Sequence, residues 1–447
     1  MIVMISRKDM LLLLGFLLML AGSSGLTASD EIPGAPQDHP IALVGGTVHT
    51  VSGGTLEGGA VLFDKGRIIA VGLQVEFPEG TEQVDARGKH IYPGLFDAYT
   101  NLGLVEINSI RATRDESEGG NLNPNVRAEI AVNPDSELIP VARSNGVLLA
   151  LTAPTGGLLS GKSAVLQLDG WTWEDLTVKS GAGMHISWPS MSPVSDWWIE
   201  KSAKDQIQER DRQLKLLEET FKRARLSMQA RQGEEKGPGD LRLEAMIPVL
   251  QGRQPIIVSA NSISQIQSAV AFAVRQKVRL VIFGGYDAPA CSALLKQHDV
   301  PVIVGSVYRL PRRRGDDYDA AFTLPARLHQ AGVSFCIASN GRFGASNVRN
   351  LPYHAATAVA YGLPAEEALR AITLSPARIL GVDDQVGSIT TGHDATLIVT
   401  SGDPLETTTR VEHAFVQGRQ VDLSNKHTRL WQKYRTKYQQ QRDAAGQ

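Results

Sequence analysis

Cysteine is nearly absent: Cys291 and Cys336 are the only two in 447 residues, too few for a disulfide framework. Neither sits in a Cys-x-x-Cys or Cys/His cluster, so buried free thiols are the expectation, with one bridge between them as the alternative. The ten histidines include no His-x-His and no His-x-x-x-His pair, which removes the commonest short metal-binding signatures. No nucleophile elbow and no paired cysteine and histidine motif occurs either, so acyl-enzyme chemistry has no visible carrier. Charge of one sign is also missing. The net charge is −2, with 45 basic and 47 acidic residues spread along the chain, and no acidic tail or basic stripe points to a nucleic acid.

What is present is an ordinary globular composition, 42% hydrophobic and 21% charged, over a length that suits two domains or one large barrel with an appendage. At the amino end, Arg7 and Lys8 precede the apolar run Met10 to Ala21. Small residues follow, Gly22 to Gly25 and then Thr27-Ala28-Ser29. This is the pattern of an export signal over residues 1–28. The run is shorter than the ~20 residues of a spanning helix, so no membrane span is expected once it is removed. An exported protein, periplasmic or extracellular, is implied. Residues 29–40, rich in proline and acid, read as a flexible leader.

Short alternating segments follow: Ile41 to Val44, Ala60 to Phe63, Arg67 to Gly72 and Lys89 to Tyr92, separated by glycine turns. Similar segments recur only far downstream, at Val386 to Val399 and Arg410 to Arg419. Neither half has strands enough to be stable alone, so residues 41–91 and 384–425 are expected to pair as one composite β-sandwich domain.

Between them, residues 92–383 alternate apolar runs of strand length with helical stretches. The runs are Gly146 to Thr152, Pro255 to Ala260, Arg279 to Phe283, Pro301 to Val304 and Val333 to Ala338; the helices include Ile263 to Gln276 and Pro364 to Ile372. The class is α/β, and the count of units favours a (β/α)8 TIM-like barrel over the rival doubly wound sheet. A charged insertion, 201–236, carries Ile207, Leu214, Leu217, Phe221 and Met228 as one apolar stripe. It reads as a helix leaning on the barrel, with a subunit contact as the alternative. Trp171, Trp173, Trp188, Trp197 and Trp198 gather nearby, either as a lid over the mouth or as packing under long loops. A charged helix is expected over 426–447.

One stretch organises all of this. Tyr92-Pro-Gly-Leu-Phe-Asp-Ala-Tyr-Thr-Asn101 resembles the first barrel strand of the metal-dependent amidohydrolase superfamily, whose motif reads Pro-Gly-Leu-Ile-Asp-x-His-x-His. The resemblance covers nearly the whole mature chain and is nearest the imidazolonepropionase-like branch. Supporting phrases are Asn350 to Gly362, Ala371 to Gly381 and Gly387-Ser-Ile-Thr-Thr-Gly-His-Asp394-Ala-Thr-Leu397.

The resemblance implies zinc or another divalent metal, held by the first-strand histidine pair, one histidine each from the fifth and sixth strands, and an aspartate from the eighth. Such a metal lowers the pKa of its bound water from about 15.7 to about 7. At the matching positions this chain has Tyr99 and Asn101, then Ser259 with Asn261 two residues on, then Gly284, then Asn340. None offers an imidazole or a carboxylate, so no metal, no cofactor and no catalytic residue is expected. The six positions become a candidate pocket, and Asp97 is read as structural support. Only His185 and His354 lie where they could approach the mouth.

A degenerate amidohydrolase follows. The first expectation is a non-catalytic protein that binds a small molecule or peptide, or pairs as a homo-oligomer or with an active paralogue. The second is an active hydrolase of carbon–nitrogen bonds in dipeptides or cyclic amides. After the seventh strand, Arg309, Arg312 and Arg313 could take an anion, against the alternative of a solvated loop neutralised by Asp316 and Asp317.

Overall fold

β-Branched and apolar residues at the two ends of the chain meet in one eight-stranded sheet. The computed structural model describes residues 31–195, 199–230, 239–340 and 344–446. The signal segment, Trp197, Trp198 and residues 231–236 of the insertion lie outside them. From the amino end come β1 (Ile41–His49), β2 (Thr55–Asp64), β3 (Arg67–Gly72), β4 (Glu82–Asp85) and β5 (His90–Pro93). Residues 33–40 do not stand free as a leader would. Gly34 N donates to the Asp169 carboxylate at 3.3 Å, and the Gln37 side chain donates to Phe63 O at 3.0 Å while accepting from Gly66 N at 2.9 Å.

The second sheet is the barrel: β6 (Leu95–Thr100), β7 (Val147–Thr152), β8 (Leu159–Gln167), β9 (Thr177–Ser187), β10 (Ile256–Ala260), β11 (Leu280–Gly284), β12 (Val302–Val304) and β13 (Phe335–Ile337), side by side in chain order. It is parallel-rich rather than strictly (β/α)8, because β8 runs antiparallel to both β7 and β9. The reason is the short connection from Thr152 to Leu159. A parallel crossover needs a dozen or more residues, so the chain can only turn back on itself. Trp171 and Trp173 follow β8, which places them at the face where the parallel strands begin, and so away from the mouth. Trp188 is buried edge-on against Phe272.

The chain then returns to the first sheet with β14 (Leu397–Thr400), β15 (Val411–Val416) and β16 (Arg419–Gln420). β14 lies antiparallel to β5, with Leu397 opposite Pro93. Phe63 and Phe415, from opposite ends of the sequence, meet edge to face at 5.1 Å in its core.

Apolar runs explain the barrel strands, and spacing explains the cover. In the helix Ile263–Gln276, Ser262 and Gln265 form a capping box, and Ile266, Ala269, Val270 and Ala273 bury one face. The insertion helix Ala203–Ala230 leans on it through Leu217, Thr220, Phe221 and Ala224, while Ile207 near its start stays exposed. Cys291 and Cys336 are buried free thiols. Phe221 is fully buried and meets Phe272 edge to face at 5.1 Å. Phe221→Ala should therefore destabilise the protein by about 3–5 kcal/mol in urea unfolding; a change under about 1 kcal/mol would mean that the insertion helix does not pack on the barrel in solution.

Candidate functional site

The parallel strands end together, and period-two alternation turns their last inward side chains toward one another. Tyr99, near the end of β6, is buried and stacks ring on ring with Phe283 of β11, centroids 3.7 Å apart and planes 5° from parallel. The His185 ring of β9 meets the same tyrosine edge-on at 5.3 Å. Ser259 of β10 hydrogen-bonds the Tyr99 side chain; burial holds that phenol well above its ordinary pKa, and the Ser259 bond pulls the other way.

Asn101 donates through Nδ2 to Ala153 O at 2.8 Å. Its Oδ1 and that of Asn340 lie 3.5 and 3.4 Å from the point where a Cβ on Gly344 would stand, so these two amides face each other across that glycine. Gly284 has φ +96°, and a Cβ there would fall 2.8 Å from Asn261 Oδ1. The Asn261 amide thus takes the room that a side chain at 284 needs. Phe283 joins the groups, since its ring edge and Asn340 O both approach Gly305. The six sequence-derived positions therefore form three adjacent clusters at one end of the barrel.

Two residues give this end its shape without having been singled out for it. Phe283 was hidden inside an apolar strand run, indistinguishable from core. Ser339 matters through Asp97, which accepts from Ser339 N at 3.2 Å, from Tyr99 N at 3.3 Å and from the Ser339 hydroxyl. The two bonds from Ser339, just after β13, cross the seam to β6. Burial pushes the Asp97 carboxyl up to about 6, against the lowering effect of those hydrogen bonds. His354 packs: its Nδ1 accepts from Val307 N at 3.3 Å, its ring lies 4.4 Å from that of Tyr308, and burial pushes it down to about 4. His185 is different. It is 3% exposed, burial pushes it down to about 3, and neither ring nitrogen has a hydrogen-bond partner among the described residues.

The three arginines surround Tyr286, at 4.9 Å for Arg309, 5.9 Å for Arg312 and 5.7 Å for Arg313. Arg313 is already engaged, at 3.0 Å to Asp287 and 2.9 Å to Asp316, so it is not free for an external anion. Arg309 reaches Asn261 Oδ1 at 3.5 Å; burial, and then Arg312, push it down to about 10.

A phenol, amides, a hydroxyl and a glycine do not fit a mononuclear zinc site, because zinc takes imidazole, thiolate and carboxylate donors. Among the described residues, no group of three or more His, Cys, Asp or Glu side chains is placed to hold a metal ion. A cavity of about 880 Å³ lies at the other face, where Pro255, Leu280, Pro301 and Val333 begin their strands, and is separate from this site.

Residues 289–421 match the Amidohydrolase family. A curated relative, amidohydrolase tasK of Hapsidospora irregularis, is 23% identical over 390 residues, which is 78% of this chain; the chain spans 38% of that relative's length. Among solved structures, an amidohydrolase from Thermotoga maritima MSB8 is 26% identical with a TM-score of 0.76, covering 86% of this chain and 99% of that one. A prolidase complexed with N-methylphosphonate-L-proline (18%, TM-score 0.52, 86% and 99% covered) and molinate hydrolase (16%, 0.52, 88% and 96%) share the fold. The first-strand motif, the parallel-rich barrel and the composite sheet thus accompany an Amidohydrolase-family match over residues 289–421 and a fold shared with solved amidohydrolases.

Proposed function

We propose that this chain is a non-hydrolytic member of its superfamily, exported from the cytoplasm, whose barrel end has lost the metal site and serves to bind a small molecule or peptide or to join an active paralogue as its partner. The observation that carries the reading is Tyr99 stacked on Phe283. By the resemblance Tyr99 stands at a first-strand ligand position, and its ring is engaged with an aromatic neighbour, while the Asn101 amide hydrogen is given to Ala153 O. Nothing at these positions could sharpen water into hydroxide, a change worth roughly 12 kcal/mol when a metal makes it.

One observation favours a second reading, hydrolysis of carbon–nitrogen bonds. His185 is a neutral imidazole with both nitrogens unpartnered beside Tyr99, and a neutral imidazole is the usual general base. The readings separate on metal and turnover. Protein purified without chelator should hold well under one zinc per chain by mass spectrometry and turn over neither dipeptides nor lactams, with or without added zinc. Stoichiometric metal sinks the first reading. Metal-free turnover that disappears in His185→Phe establishes the second.

The same histidine makes a pH prediction. Its pKa falls from about 6.5 unfolded to about 3 folded, so the unfolded chain binds the extra proton and stability is lost as pH falls below about 6.5. His185→Phe should reduce the loss of unfolding free energy between pH 7 and pH 5 by roughly 2 kcal/mol. Asp97 contributes the opposite slope between about 4 and 6 in both proteins. An unchanged acid slope would show that the ring exchanges protons freely in the folded state.

A further inference from the structure

The even charge distribution of the chain fails in one place. The helix Lys426–Ala444 begins at a capping box between Asn425 and Thr428, and none of its side chains is buried. Its first turns are fixed to the body by Arg429, 3.2 Å from Glu137, and by His427, 3.2 Å from Arg349. Beyond them the helix exposes large rings: Trp431 is 60% exposed, Tyr434 49% and Tyr438 57%, with Leu430 at 42%.

At about 100° per residue these four side chains fall within one sector roughly 100° wide. Lys426, Lys433 and Lys437 border that sector on one side, and Arg435 and Arg442 on the other; Thr428, Gln432, Thr436 and Gln439 lie behind. The cations sit beside the rings. Arg435 is 5.2 Å from the Trp431 centroid, and Lys437 is 5.9 Å from those of Tyr434 and Tyr438. Six lysines and arginines against Asp443 give the helix +5, while the whole chain carries −2, so the remainder carries −7.

An aromatic stripe with cations on both borders, and a back whose only charges are Arg429 and Asp443, is the pattern of a helix that lies in a lipid interface. The rings occupy the boundary between headgroup and acyl chain, and the long cationic side chains reach up to phosphates. A second copy of the same helix would bring like charges together, which disfavours self-pairing. Among the described residues no helix is long and apolar enough to cross a membrane, so the attachment is to the surface. We propose that Lys426–Ala444 is a peripheral anchor that docks this protein on anionic phospholipid bilayers, while the −7 body stands off from the same surface.

The test is sedimentation of the full chain with vesicles of phosphatidylcholine alone and of phosphatidylcholine with a quarter phosphatidylglycerol, at low and at high salt. Binding should require the anionic lipid and weaken with salt. At about 1 kcal/mol per cation, reversing Lys433, Arg435 and Lys437 together to glutamate should lower partitioning by roughly a hundredfold or more. Replacing Trp431, Tyr434 and Tyr438 with serine should weaken it while leaving thermal unfolding of the body unchanged, since none of the three is buried. Equal binding to neutral vesicles, or none to either kind, overturns the proposal. So does dimerisation in the ultracentrifuge that the serine variant abolishes without any vesicle binding, or retention on DNA in place of lipid.

Discussion

Tyr99 lies flat on Phe283 at 3.7 Å, and the other groups at this end of the barrel take their places around that pair. A metal centre at the same place would instead need several polar donors held apart from one another and desolvated only because a cation compensates them. Ser259 hydrogen-bonds the phenol, and the room beside Gly284 is taken by the Asn261 amide.

The scaffold beneath rests on contacts of its own. Asp97 crosses the seam of the barrel by accepting from both the backbone and the hydroxyl of Ser339, and these bonds do not depend on any ion. The composite sheet ties the start and the end of the chain together through β5 and β14.

His185 and Arg309 mark where the compensation is incomplete. Each keeps buried nitrogen atoms without a hydrogen-bond partner among the described residues, a condition that costs free energy in a dry interior. Both sit at the end of the barrel that carries the candidate site rather than in its base.

The sequence by itself determined the class of fold, the pairing of the two chain ends and the uncharged, imidazole-free character of the six candidate positions. These follow from local patterns: alternating residues with glycine turns, apolar runs bounded by helices, and a strand motif whose histidines are replaced by Tyr99 and Asn101. Even the one-sided aromatic face of the last helix is a matter of spacing. Only the tertiary structure decided the reversal of β8, that Phe283 rather than Gly284 reaches Tyr99, that Arg313 is consumed by Asp287 and Asp316, and that His185 is left unpartnered. β8 reverses because the stretch from Thr152 to Leu159 is too short for a parallel crossover. The stack of Tyr99 on Phe283 and the pairing of Arg313 with Asp287 join residues far apart along the chain, whose partners are chosen by strand order and register, and no periodicity within a single segment encodes that choice.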